Sequence, residues 1–137
     1  MSDLKFLKKY FSDLKDLLNN EKYFENLVKV KEVLQKTNSE GKKAMIFGNG
    51  GSAAIASHFS VDLTKNARVR CTNYNESDLL TCFSNDYGYE HWVEKSIDYY
   101  ADEGDVIILI SASGESKNMI NAVKAASKKK IKNIITF

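Results

Sequence analysis

The sequence predicts an α/β fold in which helices cover both faces of a parallel sheet, preceded by an N-terminal helical hairpin. Short apolar runs at residues 44–47 and 106–110 alternate with longer amphipathic segments, as in parallel strands joined by right-handed helical crossovers. The β-branched run at 106–110 is typical of a strand buried on both faces. The 137 residues suit one domain, and we expect helices over residues 1–38 and an α/β core over residues 42–137.

The first helices carry a wide apolar face. In the first helix the apolar residues recur at spacings of three and four: Leu4, Leu7, Phe11, Leu14 and Leu18. The second helix continues the pattern with Phe24, Leu27, Val30 and Leu34. This face could pack on its own domain or against helices of a partner subunit, and the pattern alone leaves both open.

The remaining elements follow a turn at residues 37–41. We expect strands at 44–47, 69–72, 106–110 and 131–137, and helices at 52–65, 77–83, 87–101 and 115–130. Residues 85–88 read as a turn, His91 and Trp92 as packing or interface residues, and residues 128–130 as a solvated helix end. The chain stops within or just after a strand, so we expect a further C-terminal strand and helix to be missing from it.

Composition excludes several classes of protein. The 20 Lys+Arg against 18 Asp+Glu give a net charge of +2, too small to indicate a nucleic-acid or membrane-surface partner. No apolar run approaches the ~18 residues of a membrane span, and the N-terminus has no signal-peptide core. Cys71 and Cys82 lack metal or redox spacing, so we expect reduced, buried thiols in a cytoplasmic protein.

Two glycine–serine loops follow predicted parallel strands. The first is Gly-Asn-Gly-Gly-Ser at 48–52 and the second is Ser-Ala-Ser-Gly-Glu-Ser at 111–116. Ligands of open α/β sheets bind at this edge, where helix N-termini attract phosphate. A dinucleotide site is disfavoured because no acidic residue ends the second strand, and no Walker loop is present. The alternative is ordinary turn chemistry with Ser52 as a helix N-cap.

His58 and Asp62 lie four residues apart on a predicted helix and so share a face. The pair could supply a carboxylate base or two ligands of a divalent metal, although two ligands are too few for a site. The alternative is an exposed polar pair.

In order along the chain, these features resemble a sugar isomerase (SIS) domain of the phosphoheptose isomerase group. The resemblance rests on the segments at 48–54, 58–59, 62–63, 85–88, 104–106 and 111–116. It implies a flavodoxin-like five-stranded sheet and a homotetramer built through the N-terminal helices. It also implies ketose–aldose isomerisation of sedoheptulose 7-phosphate to glycero-manno-heptose 7-phosphate, a step towards heptose for surface glycans, with the sugar bound between subunits.

The resemblance also implies residue roles. It assigns sugar binding to Asn49, Gly50, Gly51, Ser52 and Asp86, and phosphate binding to Ser111, Ala112, Ser113 and Ser116. Asp62 takes the place of a catalytic glutamate, and His58 with Asp62 would be the ligands if zinc is bound, although no cofactor is expected to be required.

This chain departs from the group at several positions. Asp62 is one methylene shorter than glutamate, Asn66 stands where arginine is common, Ala112 replaces a hydroxyl residue, and Glu115 adds an acid beside the phosphate loop. The alternatives are therefore a non-catalytic phosphosugar-binding or replication-initiator adaptor protein, or an isomerase of another sugar phosphate.

Overall fold

The computed structural model describes residues 2–137, which divide into two compact units, one ending at Glu32 and the other spanning Val33–Phe137. The first unit holds helix α1 (Asp3–Leu18), a 3-10 turn (Glu21–Tyr23) and the start of helix α2 (Phe24–Ser39). The two predicted helices are confirmed. No residue of α1 is buried, and its apolar stripe is exposed in this chain.

The second unit is built on a parallel sheet. Its strands are β1 (Ala44–Gly48), β2 (Cys71–Asn73), β3 (Val106–Ile110) and β4 (Asn133–Thr136), in the order β2-β1-β3-β4. The parallel sheet is confirmed, with four strands in residues 2–137 where the resemblance implies five. Because Gly48 pairs with Ile110, the segments that follow β1 and β3 start at the same level of the sheet.

The helices of this unit after α2 are α3 (Gly51–Lys65), α4 (Ser77–Tyr87), α5 (Trp92–Tyr100) and α6 (Lys117–Lys128), with a 3-10 turn at Tyr89–His91. The predicted turn at 85–88 is wrong, because α4 continues to Tyr87. Leu80 and Phe83 of α4 pack against the core, and Gly88, at φ +90°, ends the helix. None of the helices in residues 2–137 is both long enough and apolar enough to cross a bilayer.

The core lies on both faces of the sheet. Met45, Phe47, Ile107 and Leu109 form one cluster with side chains of α5 and α6. The alternate strand residues are equally buried, as a strand covered on both faces requires. Trp92 is fully buried at the start of α5, which confirms its packing role. His91 is only partly buried, with its Nδ1 atom 2.7 Å from a carboxylate oxygen of Glu94.

A buried carboxylate joins β1 and β3 at the end of the sheet opposite the glycine–serine loops. Asp105 is 1% exposed and accepts hydrogen bonds from the backbone N–H and the ammonium of Lys43 and from the backbone N–H of Asp102. Burial acts to lower the pKa of Lys43, but its hydrogen bonds to Asp105 and Asp102 outweigh burial and raise that pKa.

The prediction of a solvated helix end at residues 128–130 is confirmed for the exposed Lys128 and Lys130 and wrong for Lys129. Lys129 is partly buried, and its Nζ donates to the backbone carbonyls of Ile97, Asp98 and Ala101 at 3.1, 2.6 and 2.9 Å. A cation placed there satisfies carbonyls at the end of α5 that lack helical partners. The prediction that both thiols are buried is wrong for Cys82, which is exposed, whereas Cys71 is partly buried and burial raises its pKa to about 12.

Candidate functional site

The first glycine–serine loop begins where β1 meets α3 at close range. A Cβ on Gly48 would overlap the backbone carbonyl of Ser52, so only glycine lets the helix start this near the strand. Gly50, at φ +54°, is the N-cap of α3, and the helix starts at Gly51. The prediction of Ser52 as N-cap is therefore wrong, because Ser52 already lies in the first turn.

Two asparagines that the sequence analysis missed hold the end of β1. Asn73 donates its side-chain amide to the carbonyl of Ile46 at 3.2 Å, and Asn75 donates to the carbonyl of Gly48 at 3.0 Å. Asn73 is the last residue of β2 and Asn75 follows the strand, at the edge of the sheet that carries the loops. The signal that could have found them is the position of two amides at the carboxyl end of a parallel strand.

The second loop presents hydroxyl groups whose oxygens already accept hydrogen bonds. The backbone N–H of Gly114 donates to Ser111 Oγ and that of Glu115 donates to Ser113 Oγ, both at 3.2 Å. Ser111 Oγ donates in turn to the Oγ of Ser116, the N-cap residue of α6, at 3.5 Å. The hydroxyl hydrogens of Ser113 and Ser116 therefore remain available for an acceptor such as phosphate, and Ser111 can exchange its long bond to Ser116 for one to the same anion.

The two loops meet in one cavity of about 220 Å³. It is lined by Asn49, Ser52, Ile110, Ser111, Ala112, Ser113 and Ser116. No charged side chain lines it, and the N-termini of α3 and α6 both begin at this edge of the sheet. Uncharged donors next to two helix N-termini favour an anion over a cation.

The side chain of Asn49 joins three elements. It exchanges two amide hydrogen bonds with Asn118 of α6, at 2.9 and 2.8 Å, and accepts a third from the Tyr89 hydroxyl at 3.1 Å. Asn118 is 2% exposed. Asn118 and Tyr89 were not predicted from the sequence, in which they lie 69 and 40 positions from Asn49.

His58 and Asp62 lie outside this cavity. They line a separate shallow groove on α3 with Ala54, Ile55 and Phe59. His58 Nε2 is 3.6 Å from Asp62 Oδ2, and the two side chains are 80% and 49% exposed. The other oxygen of Asp62 accepts from the Asn66 amide at 2.9 Å. The predicted pairing on one helix face is present, and the structure leaves it open to solvent.

As a metal site, this pair is incomplete in one chain. A catalytic zinc ion takes three protein ligands and a water. Among residues 2–137 no group of three or more His, Cys, Asp or Glu side chains could hold a metal. His58 and Asp62 of a single chain therefore do not fit zinc.

The other predicted sugar-binding residues lie apart from the cavity wall. Gly50 and Gly51 are exposed in the first loop. Asp86 is exposed near the end of α4, accepting from the Asn85 amide at 2.9 Å and lying 3.7 Å from Cys82 Sγ. Desolvation and the Asp86 carboxylate raise the pKa of Cys82. Glu115 is also exposed and does not line the cavity.

Comparisons with a family profile and with known proteins agree on one family. The sequence profile of the SIS domain matches residues 9–136. The phosphoheptose isomerase of Hamiltonella defensa is 41% identical over 100 residues, 69% of this chain and 48% of the relative. That of Sodalis glossinidius is 32% identical over 134 residues, 94% of this chain and 69% of the relative. The chain thus spans about half to two thirds of the length of these relatives.

Two solved structures share the fold. The phosphoheptose isomerase of Neisseria gonorrhoeae superimposes with a TM-score of 0.88 at 30% identity, covering 98% of this chain and 75% of the other. That of Francisella tularensis gives the same TM-score at 22% identity, covering 99% and 75%, and supports the fold alone. With the profile match and the cavity at the carboxyl ends of β1 and β3, the chain belongs to the SIS domain family, in its phosphoheptose isomerase group.

Proposed function

We propose that this chain is the sugar-phosphate-binding part of an isomerase that converts sedoheptulose 7-phosphate to D-glycero-manno-heptose 7-phosphate. The observation that carries the proposal is the single cavity that the two loops share, with uncharged donors beside two helix N-termini. Relatives that match the chain bear the name phosphoheptose isomerase.

In this proposal the second loop binds the phosphate of the substrate and the first loop binds the sugar. Ser111, Ser113 and Ser116 donate hydroxyl hydrogens to the phosphate, and the N-terminus of α6 adds backbone donors and partial positive charge. The sugar end lies at Asn49 and Ser52. Anchoring the phosphate holds the reacting carbons at a fixed distance from the acid/base groups.

The chemistry is a proton transfer between adjacent carbons. A base removes a proton from C1 of the ketose, the carbonyl oxygen on C2 takes up a proton, and an enediol forms. A proton then returns to C2 while the hydroxyl on C1 loses its proton, which leaves an aldehyde. No atom or electron is gained or lost, so the reaction needs only acid/base groups and donors for the developing oxyanion.

We propose Asp62 as one of the acid/base groups. Asp62 does not line the cavity of its own chain, and half of its side chain is exposed on α3. The family resemblance implies a sugar bound between subunits, so assembly would bring Asp62 of one copy to the substrate. The exposed apolar stripe of α1 offers a surface for such an assembly, and we propose the homotetramer.

Light scattering after gel filtration tests the assembly. Phe11 is 62% exposed on α1, so Phe11→Glu should lower the mass to that of a smaller species while leaving the α/β unit folded by circular dichroism. Retention of the full mass would remove α1 from the interface.

We propose that the reaction is independent of metal, because proton transfer through an enediol needs none and His58 and Asp62 supply only two ligands. Dialysis against a strong chelator should leave turnover unchanged. Loss of turnover, restored by zinc, would mean that the assembled protein completes a site around His58.

The second candidate is a non-catalytic phosphosugar-binding or adaptor protein. It is favoured by the lack of any titratable side chain among the cavity-lining residues. It predicts binding of the sugar phosphate without conversion.

We propose that the protein lies in the reducing cytoplasm. Cys71 and Cys82 are free thiols, in keeping with that compartment.

Asp62→Asn, with Asp78→Asn as a matched exposed carboxylate on α4, distinguishes the two functions. The isomerase proposal predicts that Asp62→Asn abolishes turnover of sedoheptulose 7-phosphate and leaves its binding within about threefold, since one acid/base group contributes roughly 10²- to 10⁴-fold in rate. Asp78→Asn should retain the wild-type rate. Binding without turnover in the wild-type protein would favour the adaptor instead.

A further inference from the structure

The three hydrogen bonds of the Asn49 side chain determine what it can offer to a ligand. Its Oδ1 accepts from Asn118 Nδ2 at 2.8 Å and from the Tyr89 hydroxyl at 3.1 Å. Its Nδ2 donates to Asn118 Oδ1 at 2.9 Å. An amide oxygen has two lone pairs and an amide nitrogen two hydrogens. Both lone pairs are therefore occupied, and one N–H remains.

Asn49 lines the cavity, whereas Asn118 and Tyr89 do not. The remaining hydrogen of Nδ2 is thus the one hydrogen-bonding group that this side chain has left for a molecule in the cavity. An N–H donor recognises an acceptor oxygen and does not recognise the hydrogen of a hydroxyl group.

The surroundings oppose rotation of the amide. Asn118 is 2% exposed at the start of α6, and a buried amide that loses its partners carries a desolvation penalty. Turning Asn49 alone would set donor against donor and acceptor against acceptor in the Asn118 pair. Both amides would have to turn together, and the Tyr89 hydroxyl would have to accept instead of donate.

We propose that Asn118 and Tyr89 are positioning residues that fix Asn49 as a hydrogen-bond donor to an acceptor oxygen of the bound sugar. The identity of the ligand rests on the proposed function. Within a ketose phosphate the carbonyl oxygen is the acceptor that gains charge as the enediol forms, so a fixed N–H at this point would bind the transition state more tightly than the ground state.

Side-chain amide NMR of the full ¹⁵N-labelled chain tests the hydrogen-bonding state, with Asn49→Ala identifying the signal. In the free protein one Asn49 Nδ2 hydrogen should exchange slowly with water and the other rapidly. Addition of sedoheptulose 7-phosphate should protect the second hydrogen. Two protected hydrogens before addition, or a second hydrogen that the sugar phosphate leaves unprotected, would overturn the donor assignment.

Binding measurements test the positioning roles. Asn118→Ala should weaken binding of sedoheptulose 7-phosphate about tenfold, or ~1.4 kcal/mol, and Tyr89→Phe, which keeps the ring, about threefold. Asn85→Ala, an exposed amide on α4 bonded to Asp86, and Tyr99→Phe, whose hydroxyl pairs with that of Tyr87, serve as controls. Equal losses in the variants and their controls would overturn the proposal.

A double variant separates positioning from general support of the fold. If Asn118 acts through Asn49, adding Asn118→Ala to Asn49→Ala should weaken binding no further. Additive losses would overturn the positioning role while leaving the proposed function intact. Wild-type protein that binds no sedoheptulose 7-phosphate would overturn the proposed function itself, and with it the sugar as the ligand of Asn49.

Discussion

Ser113→Ala removes one hydroxyl from the cavity with little structural cost. Ser113 is exposed, and its Oγ accepts a hydrogen bond only from the backbone N–H of Glu115, which water can replace. A hydrogen bond to a charged acceptor contributes about 1.5–3 kcal/mol. Loss of the Ser113 donor should therefore weaken binding of sedoheptulose 7-phosphate roughly 10- to 100-fold.

Titration calorimetry with two ligands isolates the phosphate contact. Sedoheptulose 7-phosphate should lose affinity for the Ser113→Ala variant, whereas the affinity for unphosphorylated sedoheptulose should be unchanged. Ala112→Ser, which adds a hydroxyl to the same cavity wall, should tighten only the phosphorylated ligand. Ser127→Ala, an exposed serine on α6 outside the cavity, is the matched control. Equal losses for both sugars, or none for either, would refute the assignment of this loop to phosphate.

Three further predictions concern groups away from the cavity. Lys129→Met removes donors to three carbonyls at 2.6–3.1 Å. It should destabilise the chain by about 2 kcal/mol, lowering the melting temperature by roughly 7 °C, while Lys128→Met leaves it unchanged. The pKa of Lys43 is raised from 10.5. The difference in free energy of unfolding between the wild type and Lys43→Gln, measured by urea unfolding, should therefore be constant near neutral pH and shrink as the pH rises above 10.5. Because desolvation and the Asp86 carboxylate raise the pKa of Cys82, Asp86→Asn should speed its reaction with a disulfide reagent about threefold; an unchanged rate would contradict this.

Periodicity and apolar runs predicted the sheet well because its strands are buried on both faces. The run at 106–110 matches β3 residue for residue. Strand β2 is short and half-exposed, and its predicted position was two residues too early at the start. The turn predicted at 85–88 is wrong because the packing of Leu80 and Phe83 outweighs the local turn preference and extends α4 to Tyr87.

Part of the site was predictable from the topology of the sheet. Both loops follow parallel strands that pair directly, so their meeting in one cavity follows from the strand order. Asn118 and Tyr89 were missed because their contacts with Asn49 join distant parts of the chain, and spacing along the sequence gives no signal of them. Lys129 was misjudged likewise, since its partners lie on another helix.

We propose that the loops after β1 and β3 form one site for a phosphorylated sugar. Backbone amide NMR during titration with sedoheptulose 7-phosphate is the most direct test of this shared site. We expect saturable shifts, with one dissociation constant, in both residues 48–52 and residues 111–116. Shifts confined to one loop, or shifts of equal size elsewhere on the sheet, would contradict it.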